Sequence, residues 1–368
     1  MAFMDLEKAY DRIDREALWK VVHKYGIRGK LLDAMKGLYN DSRACVKVEG
    51  VLGRKFGVNV GLKQGCVMSP WLFNLFMDSI VREVKRECRE DGLGLECTNG
   101  EGLLRVSMVL YADDTVLLGE SRESLQRLVS VFSRVCGKRK VCINGQKSKV
   151  MIVGNQQNRD IAIRLGEGEL LEGVKSFVYL GVELSAGGSM KEEMDHRLSE
   201  GHRALGGVTE VWKKGNLSMG LKKRIYESMV IPKVMYGCEG WVLNADDRHR
   251  LEVFEMKGLR NMCGVTRRDR IRNVRIREWC GWERGIISRY EEGLLRWYGH
   301  IIRKDEDRLV RRVYEGVVVG NRGRGRPKRK WMEGVREALV MRGVLGDGRE
   351  IAGDRIGWRR VVYGGGFG

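Results

Sequence analysis

The chain has 368 residues, 43% of them hydrophobic, which allows two or three folded domains with a sizeable core and excludes a chain disordered in bulk. Lys and Arg number 68 against 49 Asp and Glu, a formal charge of +19 and a pI near 9.6. Such an excess points to a polyanionic partner, since neutralising phosphates with Lys and Arg releases counterions and gives affinity independent of sequence. The alternative, a generally basic soluble protein, is weaker because the charge surrounds an acidic cluster in mid-chain. The nine cysteines (Cys45, Cys66, Cys88, Cys97, Cys136, Cys142, Cys238, Cys263 and Cys280) are odd in number and scattered, with no CxxC. They read as reduced, mostly buried thiols; Cys263, Cys280 and His300 could meet around zinc, but their spacings fit no trusted motif. With no signal peptide and no apolar run of bilayer length, the expectation is a soluble intracellular protein of nucleus or cytoplasm with no membrane partner.

In chain order, a first strand carries Phe3-Met4-Asp5-Leu6. Asp14 then precedes a helical pattern through Leu18, Val21, Val22 and Tyr25, closed by Gly26. A second helix, from Lys30 to Tyr39, places Leu31, Leu32, Met35 and Leu38 on its apolar side. Ala44, Val46 and Val48 alternate with polar residues and, with Val51 to Val60, predict a small hairpin. A Gly-rich loop, Gly61-Leu62-Lys63-Gln64-Gly65, leads to Ser69-Pro70, which read as N-cap and first helical residue of an apolar helix through Leu72, Phe73, Phe76 and Ile80. Gly61 and Gly65 let the backbone approach a ligand or another chain, although a plain connection would look the same.

Next comes an acidic hairpin. Val106, Met108 and Leu110 on one side and Val116 to Leu118 on the other flank Asp113-Asp114. Asp suits turns, so a structural turn is the simple account. Two adjacent carboxylates with Asp5 nearby would, however, repel and shift unless a cation neutralised them. Oxygen-only ligands suit Mg²⁺, and a pair of such ions clamps in-line displacements. A helix from Glu123 to Val135 follows, then strands at Val150 to Val153, Ile161 to Leu165 and Ser176 to Leu184. Beyond Ser189 the pattern becomes long amphipathic helices, Lys191 to Trp212, Met219 to Val230 and Asp246 to Met262, which predicts a domain boundary near residue 186. From Arg267 the chain is densely basic, with a Trp- and Tyr-bearing helix over Glu291 to Lys304 and the run from Asn321 to Trp331.

Together these residues resemble the palm of reverse transcriptases, most closely those of non-LTR (LINE-type) retrotransposons. Phe3 to Asp11 is similar to the first catalytic motif, Gln64-Gly65 with Ser69-Pro70 to the second, and Tyr111-Ala112-Asp113-Asp114 to the third. Ile143-Asn144 with Lys147, and Phe177-Val178-Tyr179-Leu180-Gly181, resemble the fourth and fifth. Five motifs in order over roughly 180 residues are hard to obtain by chance. Later segments resemble the family's thumb, and Arg296 to His300 with Gly323 to Pro327 is similar to the ends of some LINE polyproteins.

The resemblance implies an α+β fold: an incomplete polymerase palm, an antiparallel sheet backed by helices, over 1–185; a helical thumb-like domain over 186–266; and a basic helical nucleic-acid-binding region over 267–368. It implies an RNA-directed DNA polymerase acting on dNTPs, an RNA template and a DNA primer, with Asp5, Asp113 and Asp114 holding two Mg²⁺ ions, Mn²⁺ being the substitute. Lys147 would protonate or stabilise the departing pyrophosphate. Leu6, Tyr10, Gln64, Gly65 and Tyr111 would border the incoming nucleotide, Tyr10 as a ring beneath its sugar, while Tyr179, Leu180 and Gly181 would hold the primer end. Structural alternatives are a core aromatic for Tyr10, a solvated lysine for Lys147 and a strand filler for Tyr179.

Related enzymes carry a fingers subdomain before the first motif, and many LINE proteins an endonuclease further upstream. This sequence opens at the motif itself, so little or no polymerase activity is expected of it alone. A different class of function, non-catalytic nucleic-acid binding by a retroelement remnant, rests on Arg324-Gly325-Arg326-Pro327, similar to an AT-hook core, with Lys328, Arg329 and Lys330 adjoining. An extended Arg-Gly-Arg suits the narrow minor groove of A·T-rich duplex DNA, though a basic linker or an import signal has the same composition.

Overall fold

In the computed structural model, which describes residues 1–99, 102–154, 162–166, 168–318 and 329–364, the strand Ala2–Met4 lies in the middle of a five-stranded sheet. The order is Glu172–Gly173, Lys149–Val150, Ala2–Met4, Asp114–Leu117, Met108–Tyr111, and all neighbours are antiparallel except the first pair. Ala2 faces Leu117 on one side and Val150 on the other, and Met4 faces Thr115. Side chains alternate across a strand, so Ala2 and Met4 enter the core with Met108, Leu117 and Val150, while Phe3 points to the opposite face and stacks on Phe177 at 4.0 Å between ring centres.

Four helices flank this sheet in sequence: α1 (Arg15–Lys24), α2 (Gly29–Tyr39), α3 (Ser69–Glu90) and α4 (Arg122–Lys138). The Asp14 side chain caps α1 by accepting from the Ala17 amide, and Ser121 caps α4 through the Ser124 amide, each satisfying a donor the helix itself leaves open. Phe73 and Phe76 of α3 and Phe132 of α4 are fully buried, each such burial favouring folding by about 1.5–3 kcal/mol. This core and the sheet belong to a compact unit, Met1–Leu180; a second unit runs from Gly181 to Gly368.

Several expectations shift on meeting the structure. Ser69 is the first residue of α3 rather than its cap: Met68 holds the cap position, and the Ser69 hydroxyl is engaged by the Lys63 carbonyl and the Tyr39 hydroxyl. On α2, Leu32 and Tyr39 turn inward, whereas Leu31 and Leu38 are exposed, a narrower apolar stripe than the sequence suggests. The hairpin between α2 and α3 forms as two short antiparallel pairs, Arg43–Ala44 with Phe56–Gly57 and Lys47–Val48 with Val51–Leu52. The strand at Val150 shrinks to Lys149–Val150, and the stretch from Ser176 to Leu184 splits into Ser176–Tyr179 and Val182–Ser185.

The second unit is helical: α5 (Lys191–Lys214), α6 (Met219–Ile225), α7 (Ile231–Val234), α8 (Ala245–Cys263), α9 (Asn273–Cys280), α10 (Ile286–Ile302), α11 (Leu309–Glu315), α12 (Trp331–Val340), α13 (Arg349–Gly353) and α14 (Arg355–Tyr363). The single helix expected from Met219 to Val230 is broken by a π-turn over Tyr226–Val230 that joins α6 to α7. Tyr226, Trp241, Phe254, Tyr290 and Tyr298 dominate the core. Inside it the fully buried Glu255 carboxylate accepts from Arg277 (2.6 Å), the Trp282 indole (2.8 Å) and the Ile286 amide (2.5 Å), which satisfies a charge that burial would otherwise penalise heavily. Among the described residues all nine cysteines are free, and no helix is long and apolar enough to cross a membrane.

Candidate active site

The acidic residues come together through sheet register. Met4 pairs with Thr115, so one residue further along the two antiparallel strands Asp5 lies opposite Asp114. Tyr111 pairs with Asp114 in the next strand, which leaves Ala112 and Asp113 as the two-residue connection of the hairpin. Ala112 is held at φ 53°, a left-handed conformation that costs a non-glycine residue about 1–3 kcal/mol. Lys8 (φ 47°) and Leu180 (φ 48°) share that strain. Thus three of the seven described non-glycine residues at positive φ fall in the motifs that resemble the polymerase palm.

Asp5 is fixed by its backbone. Its amide donates to Ser148 Oγ (3.1 Å) and its carbonyl accepts from the Asn144 amide (2.9 Å). Ser148, wholly buried, donates its hydroxyl to the Asn144 carbonyl (2.7 Å) and so locks the strand end to the 144–148 turn. The Asp114 carboxyl is pushed above its ordinary value, first by partial desolvation and then by the charges of Asp113 and Asp5. No described Lys or Arg forms an ion pair with any of the three. The cluster is therefore a concentration of uncompensated negative charge.

Two tyrosines border it. The Tyr10 ring stacks on Phe73 of α3 (4.3 Å, 17° between planes), and its hydroxyl is pushed up by burial and by the Asp113 charge. Tyr179 donates to the Asp114 carbonyl at 3.5 Å, a long contact, and its hydroxyl is raised by burial and then by the charge of Asp114. Gln64, exposed, donates through Nε2 to Asp11 Oδ1 (3.1 Å), which ties the Gly-rich loop to the turn after Asp5. Gly65 (φ +79°) has open space around it, and Tyr111 is largely exposed.

Other expected positions stand apart. The Leu6 side chain is buried in the core. Lys147 is exposed, its amide bound to Asn144 Oδ1, with no ion pair among the described residues. Gly181 belongs to the second unit, where its carbonyl accepts from Arg197. Arg324, Arg326 and Lys328 lie outside the described residues. Arg329 is paired with Glu337, and Lys330 occupies the N-cap position of α12 without a side-chain capping bond. Asp11, Phe73 and Phe177 were named in the sequence without the contacts by which each positions a neighbour; Ser148, a buried serine between two lysines, was missed because it offered no pattern to notice.

As a cation site, the centre fits in kind: three carboxylates, all hard oxygen donors, none neutralised by a basic side chain. Among the described residues, however, no group of three or more His, Cys, Asp or Glu is drawn tightly enough together to hold a metal ion.

The sheet and its acidic strand ends lie within the segment that a family comparison matches. Residues 1–184 match the family described as reverse transcriptase (RNA-dependent DNA polymerase), half of the 368-residue chain, and the chain belongs to that family. Its relatives are of the non-LTR retrotransposon type. It is 23% identical over 243 residues to a Pol polyprotein from type-1 retrotransposable element R2 of Popillia japonica, across 64% of this chain and 38% of that protein. To the RNA-directed DNA polymerase from mobile element jockey of Drosophila melanogaster it is 22% identical over 346 residues, across 89% and 35%. The chain thus spans little more than a third of the length of these two relatives. A telomerase structure from Candida albicans, in complex with a fragment of telomeric RNA, aligns over 80% of this chain and 46% of that one at 11% identity with a TM-score of 0.37, too loose a likeness to define a fold.

Proposed function

We propose that the chain carries the nucleotidyl-transfer centre of a non-LTR retrotransposon polymerase, extending a DNA primer with dNTPs on an RNA template. The observation that carries this is the meeting of Asp5, Asp113 and Asp114 at adjoining strand ends with no ion pair to a cationic side chain among the described residues. These three would hold two divalent ions, Mg²⁺ or Mn²⁺, which supply a lowered pKa for the primer 3′-hydroxyl and neutralise the triphosphate and the pyrophosphate that leaves. Tyr10, set flat by Phe73, would lie beneath the incoming sugar and crowd a 2′-hydroxyl, favouring deoxynucleotides. Gln64 and Gly65 would border the nucleotide and template base, with Leu6 contributing only backbone and Tyr111 an exposed ring. Lys147, exposed and without an acidic partner among the described residues, is free to reach the pyrophosphate and give it a proton. Tyr179, Leu180 and Gly181 would seat the primer end. Residues 1–185 then act as palm, 186–266 as thumb and 267–368 as a basic surface for nucleic acid, which the charge of +19 supports.

Two measurements test this. Mn²⁺ bound by the full chain, followed by its electron paramagnetic resonance, should be lost in Asp5→Asn and Asp113→Asn. Any extension of a primer on RNA should vanish in Asp113→Asn. Mn²⁺ binding that survives both substitutions would remove the metal centre from the acidic turn.

A further inference from the structure

Helices α8 and α9 each end on a cysteine, and the two sulfurs meet: Cys263 Sγ and Cys280 Sγ are 3.2 Å apart. Among the described residues they alone are in sulfur–sulfur contact. The gap exceeds a disulfide bond by only about 1 Å. Between them runs the segment with the densest positive charge in the described chain. Arg267, Arg268, Arg270 and Arg272 are all exposed and without ion pairs among the described residues. The downstream end of this segment is anchored, since Arg277 is held by the buried Glu255. The middle is a short capped turn in which Asp269 accepts from Thr266, flanked by Val265 and Ile271, which rest half-buried against the core.

We propose that Cys263 and Cys280 form a reversible disulfide that closes the arginine-rich segment into a covalent ring, making this surface responsive to oxidants of the hydroperoxide class. Neither the polymerase reading nor any bound nucleic acid is needed for it. Cys263 is half-buried and reachable, whereas Cys280 is buried, its thiol pushed up to about 12 by burial and by its neighbour. That asymmetry assigns the order of events. Cys263 attacks the peroxide oxygen, giving a sulfenic acid and water. The Cys280 sulfur then displaces the hydroxyl from Cys263, its own proton leaving with it as a second water. The balance is two thiols and one hydrogen peroxide to one disulfide and two waters, and a dithiol reductant reverses it.

The consequence is mechanical. Reduced, the exposed turn can open once Val265 and Ile271 lift from the core; oxidised, both ends of the segment are tied to one point and that opening is restrained. Trypsin reads this directly, because its cleavage sites are the exposed arginines themselves.

The test uses the full chain, titrated with hydrogen peroxide, blocked with an alkylating reagent and mapped by mass spectrometry. A Cys263–Cys280 crosslink should appear before any other cysteine is modified and should vanish on adding dithiothreitol. Cleavage at Arg267 to Arg272 should slow by about fivefold or more in the oxidised form, and Cys263→Ser should abolish both effects. Because Cys280→Ser touches a buried position, the test is decided by Cys263→Ser and by the crosslink map of the wild type. Three results would overturn the proposal: oxidation of Cys263 to the sulfinic acid with Cys280 still free, crosslinks distributed among other cysteines, or zinc that copurifies with the pair and blocks its oxidation.

Discussion

Replacing Gly61 by alanine tests how the Gly-rich loop is held against the turn that carries Tyr10. Gly61 sits at φ +76°, and a Cβ built there would lie 2.4 Å from the Asp11 carbonyl oxygen and 2.7 Å from its carbon. Neither atom can step aside, because the Gly61 amide is bonded to the Ile13 carbonyl (2.9 Å) and the Leu62 amide to the Tyr10 carbonyl (2.8 Å). Alanine therefore incurs the left-handed strain of about 1–2 kcal/mol and a forced backbone shift of about 1–3 kcal/mol, a total loss of about 2–5 kcal/mol. Gly65, four residues on at φ +79°, is the control: nothing lies within 4 Å of its Cβ position, so Gly65→Ala should lose only the strain, about 1–2 kcal/mol. Urea unfolding of both variants, followed by tryptophan fluorescence, separates the two contributions. If the midpoints of Gly61→Ala and Gly65→Ala fall together, the close approach to Asp11 contributes nothing and the loop is not clamped as described.

The remaining expectations concern charge. The raised Asp114 carboxyl contributes stability that is present below its unfolded pKa and lost as pH rises through the higher folded value. Asp114→Asn should consequently melt above the wild type at pH 7 in metal-free buffer, by no more than about 2 °C for so exposed a group, with the difference gone near pH 3. Glu255→Ala would leave three donors unpaired, two of them buried, and should lower stability by about 3–5 kcal/mol, seen as a shifted urea midpoint at unchanged slope. A loss under about 1 kcal/mol would mean that water reaches the pocket. Replacing Arg267, Arg268, Arg270 and Arg272 with glutamine should flatten the dependence of log K on log salt for duplex DNA by about 3 to 4, if each meets one phosphate. An unchanged slope would place the contacts elsewhere.

The acidic hairpin was legible because its information is local: apolar alternation on both sides of Asp113 and Asp114 admits one register, and the pairing of Tyr111 with Asp114 follows it. The partnership with Asp5 was suggested by a second acidic strand end and strengthened by the family resemblance, since a contact between strands more than a hundred residues apart leaves no local mark in either segment. Asp14 as a helix cap could be read from one residue and its neighbours. Ser69 could not be read so simply, because the Lys63 carbonyl in the preceding loop and the Tyr39 hydroxyl at the end of another helix compete for its hydroxyl. Phe73 reads as one more core phenylalanine until Tyr10 is found stacked on it. Cys263 and Cys280 were grouped in the sequence only with His300, as residues that could meet around zinc; their 17-residue separation matches no motif that would pair the two sulfurs alone.

The π-turn at Tyr226–Val230 has a corollary for engineering this chain. A wide turn of that kind holds one residue more than an α-helix of the same length, so every side chain after it is phased about 100° away from where an unbroken helix would put it. Ile231 and Val234, both buried in the core, follow directly on it. Deleting one residue between Tyr226 and Val230 would repair the helical ladder locally and swing both out of the interior. Length here is a rotational setting, and a shorter, more regular helix would be the less stable one.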